Sequence, residues 1–364
     1  MTAREVNSFA GSGTTLQGGR RSVLVLHNAP TRFVQIDCEI LANKYAVTVR
    51  HETSPWKMKL TKIWNEVMNH DLVYCWFASW HSLLPVLAAR AQGKPSVVVV
   101  GGYDTANVPE AGYGSQRGGL RKIVARETMK LATHLIVNSW SARSETVANG
   151  GVHCDKISVI YHGVHFADTI PQERRMRMVL TVGNVWRENL LRKGLLPFVQ
   201  AARHLPDVQF VHAGAWQDDS ITELRKAAGP NVEFRGFVSD EALAELYNQA
   251  SVYVQASLHE GFGLSLAEAM AAGCIPVVTR CGALPEVVGD TGIYLSSAAP
   301  EAIAEGVATA LDENYATRLR AQKRIQERFS LEQREATLTS VLDSLIFPPA
   351  PCPGGSRVTK HAAG

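Results

Sequence analysis

Glu260 and Glu268, with seven residues between them, bracket a stretch that runs His259-Glu-Gly-Phe-Gly-Leu-Ser-Leu-Ala-Glu-Ala-Met-Ala-Ala-Gly273. Two carboxylates at this spacing suit hydroxyl recognition or acid–base work, provided both reach one ligand. Gly261 and Gly263 supply the opening, because backbone without a Cβ lets a phosphate or a sugar hydroxyl approach closely. Ser265 to Ala272 is rich in good helix formers. The glycines therefore stand ahead of a helix N-terminus at Leu264-Ser265, whose unpaired N–H groups and partial positive charge favour an anion. A lone glutamate pair would more often be a strand end and an exposed helix residue. Here the glycines and the helix start weigh toward a ligand site.

Three further groups carry chemistry. Arg187, Arg192 and Lys193 follow Gly183, where an apolar strand gives way to a helix. An Arg fork and a mobile Lys charge suit a diphosphate, the alternative being a solvated basic loop. Asp104 follows Gly101-Gly102 at the end of the run Ser96-Val-Val-Val-Val. It could bind a sugar hydroxyl, stabilise developing positive charge, or simply form a turn. Gly236-Phe237-Val238 closes another strand ahead of a helix cap at Ser239 or Asp240. His81 and His162 read as structural residues.

The elements needed to hold these groups repeat along the chain. Apolar strand-length runs begin at Ser22, Ala46, Leu72, Ser96, Thr133 and Lys156, then again at Val179, Val208, Val232, Ser251 and Cys274, with helical patterns between them. Strand, helix, strand with short loops means parallel strands and right-handed crossovers. The expected fold class is α/β, two doubly wound domains with the ligand between facing strand ends. The expected boundaries are a mobile tail over 1–20, a first domain over 21–165, a linker over 166–178, a second domain over 179–330, a final helix over 331–346 and a tail over 348–364. Leu72 to Ala89 has no formal charge, yet Ser79, His81, Ser82 and Pro85 point to a buried strand and helix rather than a membrane span.

Composition agrees with a globular protein: 364 residues, 46% hydrophobic, 20% charged. The charge is uneven, with 18 basic against 11 acidic residues through His165 and 19 against 23 beyond. Six scattered cysteines show no C-x-x-C or metal spacing, so neither a disulfide framework nor a zinc site is expected. A reducing, cytoplasmic setting fits, and no secretory leader pattern is visible.

The run Glu260-Gly-Phe-Gly-Leu-Ser-Leu-Ala-Glu268-Ala-Met-Ala-Ala-Gly-Cys-Ile-Pro-Val-Val, with Gly282-Ala-Leu-Pro-Glu286-Val-Val and Gly292, resembles the donor-site signature of family-4 retaining glycosyltransferases. The resemblance extends over about residues 95 to 346 and more weakly over 21 to 94. It implies the GT-B fold, including a last helix that crosses back to the first domain. It also implies transfer of a sugar from a nucleotide-diphosphate donor with retained configuration. Carried onto this sequence, Arg187 and Lys193 hold the donor diphosphate with Leu264 and Ser265. Glu260, Gly261, Phe262 and Gly263 hold the donor sugar, Glu268 the ribose, and Gly236 to Val238 the nucleobase. Asn184 stands where many relatives have arginine, which leaves Arg187 or Arg192 for the diphosphate, Arg187 being preferred for its distance from Lys193. Asp104 stands where the family commonly has a histidine, and is expected with Glu260 at the catalytic centre. No metal or other cofactor is expected.

The implied partners are a nucleotide-sugar and a glycan, lipid-linked or otherwise anionic acceptor, with no nucleic acid. Two basic stretches of the first half, Trp56 to Val67 and Arg117 to Lys130, suggest peripheral contact with the inner face of a membrane. The alternative is that their apolar stripes pack on the sheet. Two other functions stay open: an epimerase or hydrolase acting on nucleotide-sugars, and a non-catalytic binding subunit, the latter motivated by the missing histidine.

Overall fold

A computed structural model describes residues 19–166, 170 and 176–348. The tails and most of the linker expected from sequence lie outside these residues. The first half alternates β1 (Ser22–His27), α1 (Arg32–Lys44), β2 (Ala46–His51), α2 (Leu60–Met68), β3 (Leu72–Trp76), α3 (Trp80–Ala91), β4 (Ser96–Val100), α4 (Gly119–Leu131), β5 (His134–Val137), α5 (Trp140–Gly150) and β6 (Ile157–Val159). Its strands are all parallel in the order β2-β1-β3-β4-β5-β6.

The second half begins with β7 (Met176–Val182), α6 (Arg187–Arg192), α7 (Leu195–Ala201), β8 (Gln209–Ala213), α8 (Ser220–Ala227) and β9 (Val232–Gly236). It continues with α9 (Asp240–Gln249), β10 (Ala250–Gln255), α10 (Leu264–Ala271), β11 (Ile275–Val278), α11 (Leu284–Val288) and β12 (Ile293–Tyr294). Helices α12 (Pro300–Leu311), α13 (Tyr315–Arg328) and α14 (Leu331–Ile346) close it. This sheet is also parallel, in the order β12-β11-β10-β7-β8-β9.

The central strands read as continuous apolar runs because both faces of each sheet are covered there, whereas the edge strands β2 and β9 carry polar, partly exposed residues. Side chains alternate across a strand, so Leu24, Leu26, Val98 and Val100 join one buried layer of the first sheet. Val23, Val25, Val97 and Val99 join the other, with α1 and Leu338 and Leu342 of α14. The last helix thus packs on the first sheet. Its Arg334 makes a buried two-pronged pair with Asp37 of α1, at 2.7 and 2.9 Å. Arg334 also donates to the carbonyls of Ile160 and Tyr161, and the Tyr74 hydroxyl donates to Asp37 at 2.6 Å. Beside this knot, the Val164 N–H reaches the Phe329 carbonyl, so the two chain crossings between the sheets run side by side.

Strand order reverses direction between β1 and β3 in one sheet and between β7 and β10 in the other. Crevices at such points, outside the carboxyl ends of the strands, are where open α/β sheets take ligands. The segments after β7 and β10 are those that carry Lys193, at the end of α6, and Glu260.

Candidate active site

One helix was expected after Gly183, whereas the chain forms two. Lys193 ends α6 and Gly194, at φ 67°, turns the chain into α7. A Cβ on Gly194 would lie 2.3 Å from the Ala256 carbonyl oxygen, so only glycine lets this turn press on the end of β10. The turn aims Lys193 across the β7–β10 crevice. Its Nζ donates to Glu260 Oε2 at 2.8 Å, and Gln255 Nε2 donates to the same oxygen at 2.6 Å. Burial alone would push the Glu260 carboxyl up, but Lys193 and Arg192 beside it hold it below the ordinary range. A carboxylate and an ammonium, both largely but not fully buried, therefore share one crevice and a hydrogen bond. The Gln255 Oε1 atom is buried there without a hydrogen-bond partner.

Helix α10 starts at Leu264 behind the Gly263 cap, so the first-turn N–H groups of Leu264 and Ser265 lack helical partners. Glu268 lies one turn in and accepts the Tyr247 hydroxyl at 3.1 Å. Burial raises its carboxyl above the ordinary range, against the opposing charge of Arg32. It lines a cavity of about 330 Å³ between the domains, with Arg32, Phe166, Asp240 and Tyr247. Burial, and after it the negative charges of Glu260 and Glu268, push the buried Tyr253 phenol up. Gly261 and Phe262 continue the loop, Phe262 buried against Tyr161 and His162.

Arg187, preferred over Arg192 for the diphosphate, sits very differently from it. Arg187 is 72% exposed and pairs with Glu223 of α8 at 2.5 Å. Arg192 is buried, its Nε and Nη2 both on Asn189 Oδ1, its Nη1 on the His259 carbonyl, and its guanidinium over the Tyr113 ring. About 100° of helix turn per residue sets the two arginines on different faces of α6. Only Arg192 shares the face that leads to Lys193 and Glu260.

Asp104 also departs from the expected position. It is 2% exposed, accepts the Gly101 N–H at 2.7 Å, and burial pushes its carboxyl up to about 7 against those amide bonds. It organises the turn after β4 and presents no free carboxylate to the crevice. His81 bonds the Trp76 carbonyl, and burial lowers it to about 4. His162 stacks on Trp76 and is held well below its usual range by burial and then Arg334. At the end of β9, Phe237 is 81% exposed, and the Trp216 ring covers the position of a Gly236 Cβ at 3.5 Å. Val238 packs partly buried on the core around α10.

Sequence reasoning missed a set of contacts from the first domain. Glu145 faces His259, Ser139 meets Gly261, and Trp140 and Ser141 meet Glu286. No spacing rule links residues so far apart in the chain, although His259 and Glu286 both stand inside the motif.

The second half, residues 176–313, matches the family described as Glycosyl transferases group 1. Residues 41–168 match Glycosyltransferase Family 4. The chain is 36% identical over 123 residues to a GDP-mannose-dependent alpha-(1-6)-phosphatidylinositol dimannoside mannosyltransferase of Mycobacterium tuberculosis, covering 33% of this chain and 32% of that one. It is 36% identical over 101 residues to O-antigen chain mannosyltransferase B of Escherichia coli, covering 27% and 26%. The match thus spans about a third of these relatives' length or less. The Anabaena protein HepE, solved with UDP and glucose, superposes with a TM-score of 0.71 at 18% identity, over 89% of this chain and 100% of that one. Sucrose-phosphate synthase of Thermosynechococcus elongatus gives 0.70 at 17% identity, over 90% and 99%. With two parallel six-stranded sheets facing one crevice and both halves matched, the chain belongs to glycosyltransferase family 4 and has the GT-B fold.

Proposed function

We propose that the protein transfers a hexose, with retained configuration, from a nucleotide-diphosphate donor to a lipid-linked or otherwise anionic glycan acceptor, and that the donor is GDP-mannose. The observation that carries this reading is the largely buried Lys193–Glu260 pair at the β7–β10 crevice, directly ahead of the α10 N-terminus. In it, Lys193, Arg192 and the Leu264 and Ser265 N–H groups offset the charge that builds on the departing diphosphate. Lys193 has three N–H donors, so it can hold a phosphate oxygen while keeping Glu260. Glu260 and the orphan Gln255 Oε1 are placed to take donor-sugar hydroxyls. Glu268 takes the ribose hydroxyls, and Gly236 to Val238 meet the base. Attack comes from the face the diphosphate leaves, and cationic side chains do the work a metal would otherwise do. The mannosyl donor is suggested by the named activities of the relatives.

The acceptor reading is supported by a surface. Helices α2, α3 and α4 lie side by side on the outer face of the first sheet. Ile63 and Val67 pack on the core, but Leu60, Trp64, Met68, Leu120 and Ile123 stay exposed among Lys57, Lys59, Lys62, Arg121 and Lys122. Apolar and cationic side chains together suit an anionic bilayer. The Trp56 side chain lies outside the described residues, and no described helix is long and apolar enough to cross a membrane. Thermal stabilisation by UDP-, GDP- and ADP-sugars, followed by transfer of labelled mannose from GDP-mannose to lipid extract, tests the reading. Stabilisation by none of them, or consumption of donor at the same rate with and without acceptor, would overturn it.

A further inference from the structure

Helix α5 covers its own sheet, but its first turn and its Glu145 also grip the loop that carries Glu260. Ser139 Oγ donates to the Gly261 carbonyl at 2.9 Å. His259 Nε2 sits 3.0 Å from both carboxylate oxygens of Glu145, so this nitrogen must hold the imidazole proton and donate. Glu286 of α11 accepts the N–H groups of Trp140 and Ser141 at 2.8 and 2.7 Å, and the Tyr161 hydroxyl at 3.0 Å. These contacts join the two domains at the reacting end of the crevice.

The approach is close because glycine faces glycine: a Cβ on Gly102 would stand 3.5 Å from Gly261 Cα. Asp104 shapes the turn that presents Gly102. Asn149 of α5 donates to the Thr105 carbonyl at 2.8 Å, and the Thr105 hydroxyl lies 3.5 Å from Glu145. The turn after β4, α5 and the 259–261 backbone thus form one junction. Glu260 lies in the middle of that backbone. A peptide displaced there would carry its carboxylate away from Lys193 and from any sugar.

We propose that Ser139, Glu145 and His259 are positioning residues, which set the Glu260 backbone for transfer only when α5 is seated on the donor domain. This rests on the transfer reading above. A misplacement on the order of 1 Å at such a site can cost about 100-fold in rate. The test uses the full chain with Glu145→Ala, Glu145→Gln, His259→Ala and the Glu145→Ala/His259→Ala double variant. Three readouts are taken: GDP affinity by calorimetry, kcat and KM for GDP-mannose turnover, and small-angle X-ray scattering. The expected result is a fall in kcat of about 10- to 100-fold for Glu145→Ala and His259→Ala, with GDP affinity within about 2-fold. The double variant should lose little more than either single one, and Glu145→Gln should keep part of the rate. Scattering should show a larger mean radius in the double variant. Parental kcat in Glu145→Ala, or kcat and GDP affinity falling by one common factor, would overturn the proposal. If the parent turns over no nucleotide-sugar, the transfer reading fails while scattering still judges the junction, and an unchanged profile would refute it.

Discussion

Replacing Lys193 by alanine tests the crevice most directly, and the geometry sets two separate magnitudes. The Lys193 and Glu260 side chains are 18% and 13% exposed, so their pair is largely buried rather than a surface contact. Breaking a buried pair from one side leaves the other charge uncompensated, at about 3–5 kcal/mol. Gln255 and Arg192 remain near Glu260 and the pair is not fully buried, which brings the expected stability loss to the bottom of that range or just below it, about 2–3 kcal/mol. Its pH dependence follows from Glu260. In the parent the carboxyl is held below its ordinary value, so its contribution to stability is present at neutral pH and is lost as pH falls through the folded value. In the variant, burial is offset less, the carboxyl rises, and folding takes up a proton at higher pH. The gap between variant and parent should therefore be widest near neutrality and narrow as pH falls through the folded value of Glu260. Separately, GDP affinity should fall by the value of a charge-assisted hydrogen bond, about 1.5–3 kcal/mol. Urea titrations at several pH values and calorimetry with GDP, UDP and ADP read the two effects. Parental affinity for all three nucleotides would refute the clamp, and a pH-independent stability gap would refute the coupling to Glu260.

Four further outcomes are expected. Glu260→Ala should cut transfer far more than it weakens free GDP, whereas Glu268→Ala should weaken the nucleotide itself; equal effects on nucleotide affinity would defeat that division. Arg192→Ala should lower nucleotide affinity by about 1–2 kcal/mol and Arg187→Ala by less than about 0.5 kcal/mol, as measured by the same calorimetry. Asp104, raised to about 7 by burial, favours folding while protonated, so its contribution is full below about pH 4 and is lost as pH rises through 7; melting curves should show Asp104→Asn losing less stability than the parent over that interval. Sedimentation with liposomes should require acidic lipid, weaken with salt, and drop when Lys57, Lys59 and Lys62 become Glu, and a protein that stays in the supernatant at low salt would end the membrane proposal.

The strands were legible because burial on both faces forces continuous apolar runs, as in Ser96 to Val100, and because glycines punctuate their ends. The Glu260 loop was legible for the same reason: a helix start behind Gly263 is a local pattern. What sequence could not show was how differently the two arginines sit. Arg187 and Arg192 look alike until Gly194 breaks the helix and fixes which face turns inward. The two-residue strand β12 is too short to carry a period. Asp104 looked available because a carboxylate after two glycines suits either a ligand or a turn, and only its seat on the Gly101 amide decides between them. The Glu145–His259 contact joins residues that approach only once both sheets are folded and faced together.

The buried Arg334–Asp37 knot bears on how this protein can be recombined. Chimeras meant to exchange acceptor preference would naturally be cut where the chain passes from one sheet to the other. A graft of the first half alone would then seat Asp37 under a foreign helix, with its carboxylate and the carbonyls of Ile160 and Tyr161 facing whatever residue replaces Arg334. The unit that can be inherited intact is discontinuous: the first half travels with α14, although some 170 residues, the second sheet among them, lie between. Parents should therefore be matched at Asp37 and Arg334 before either cut is made, and chimeras that split this pair are expected to fail in folding before they fail in catalysis.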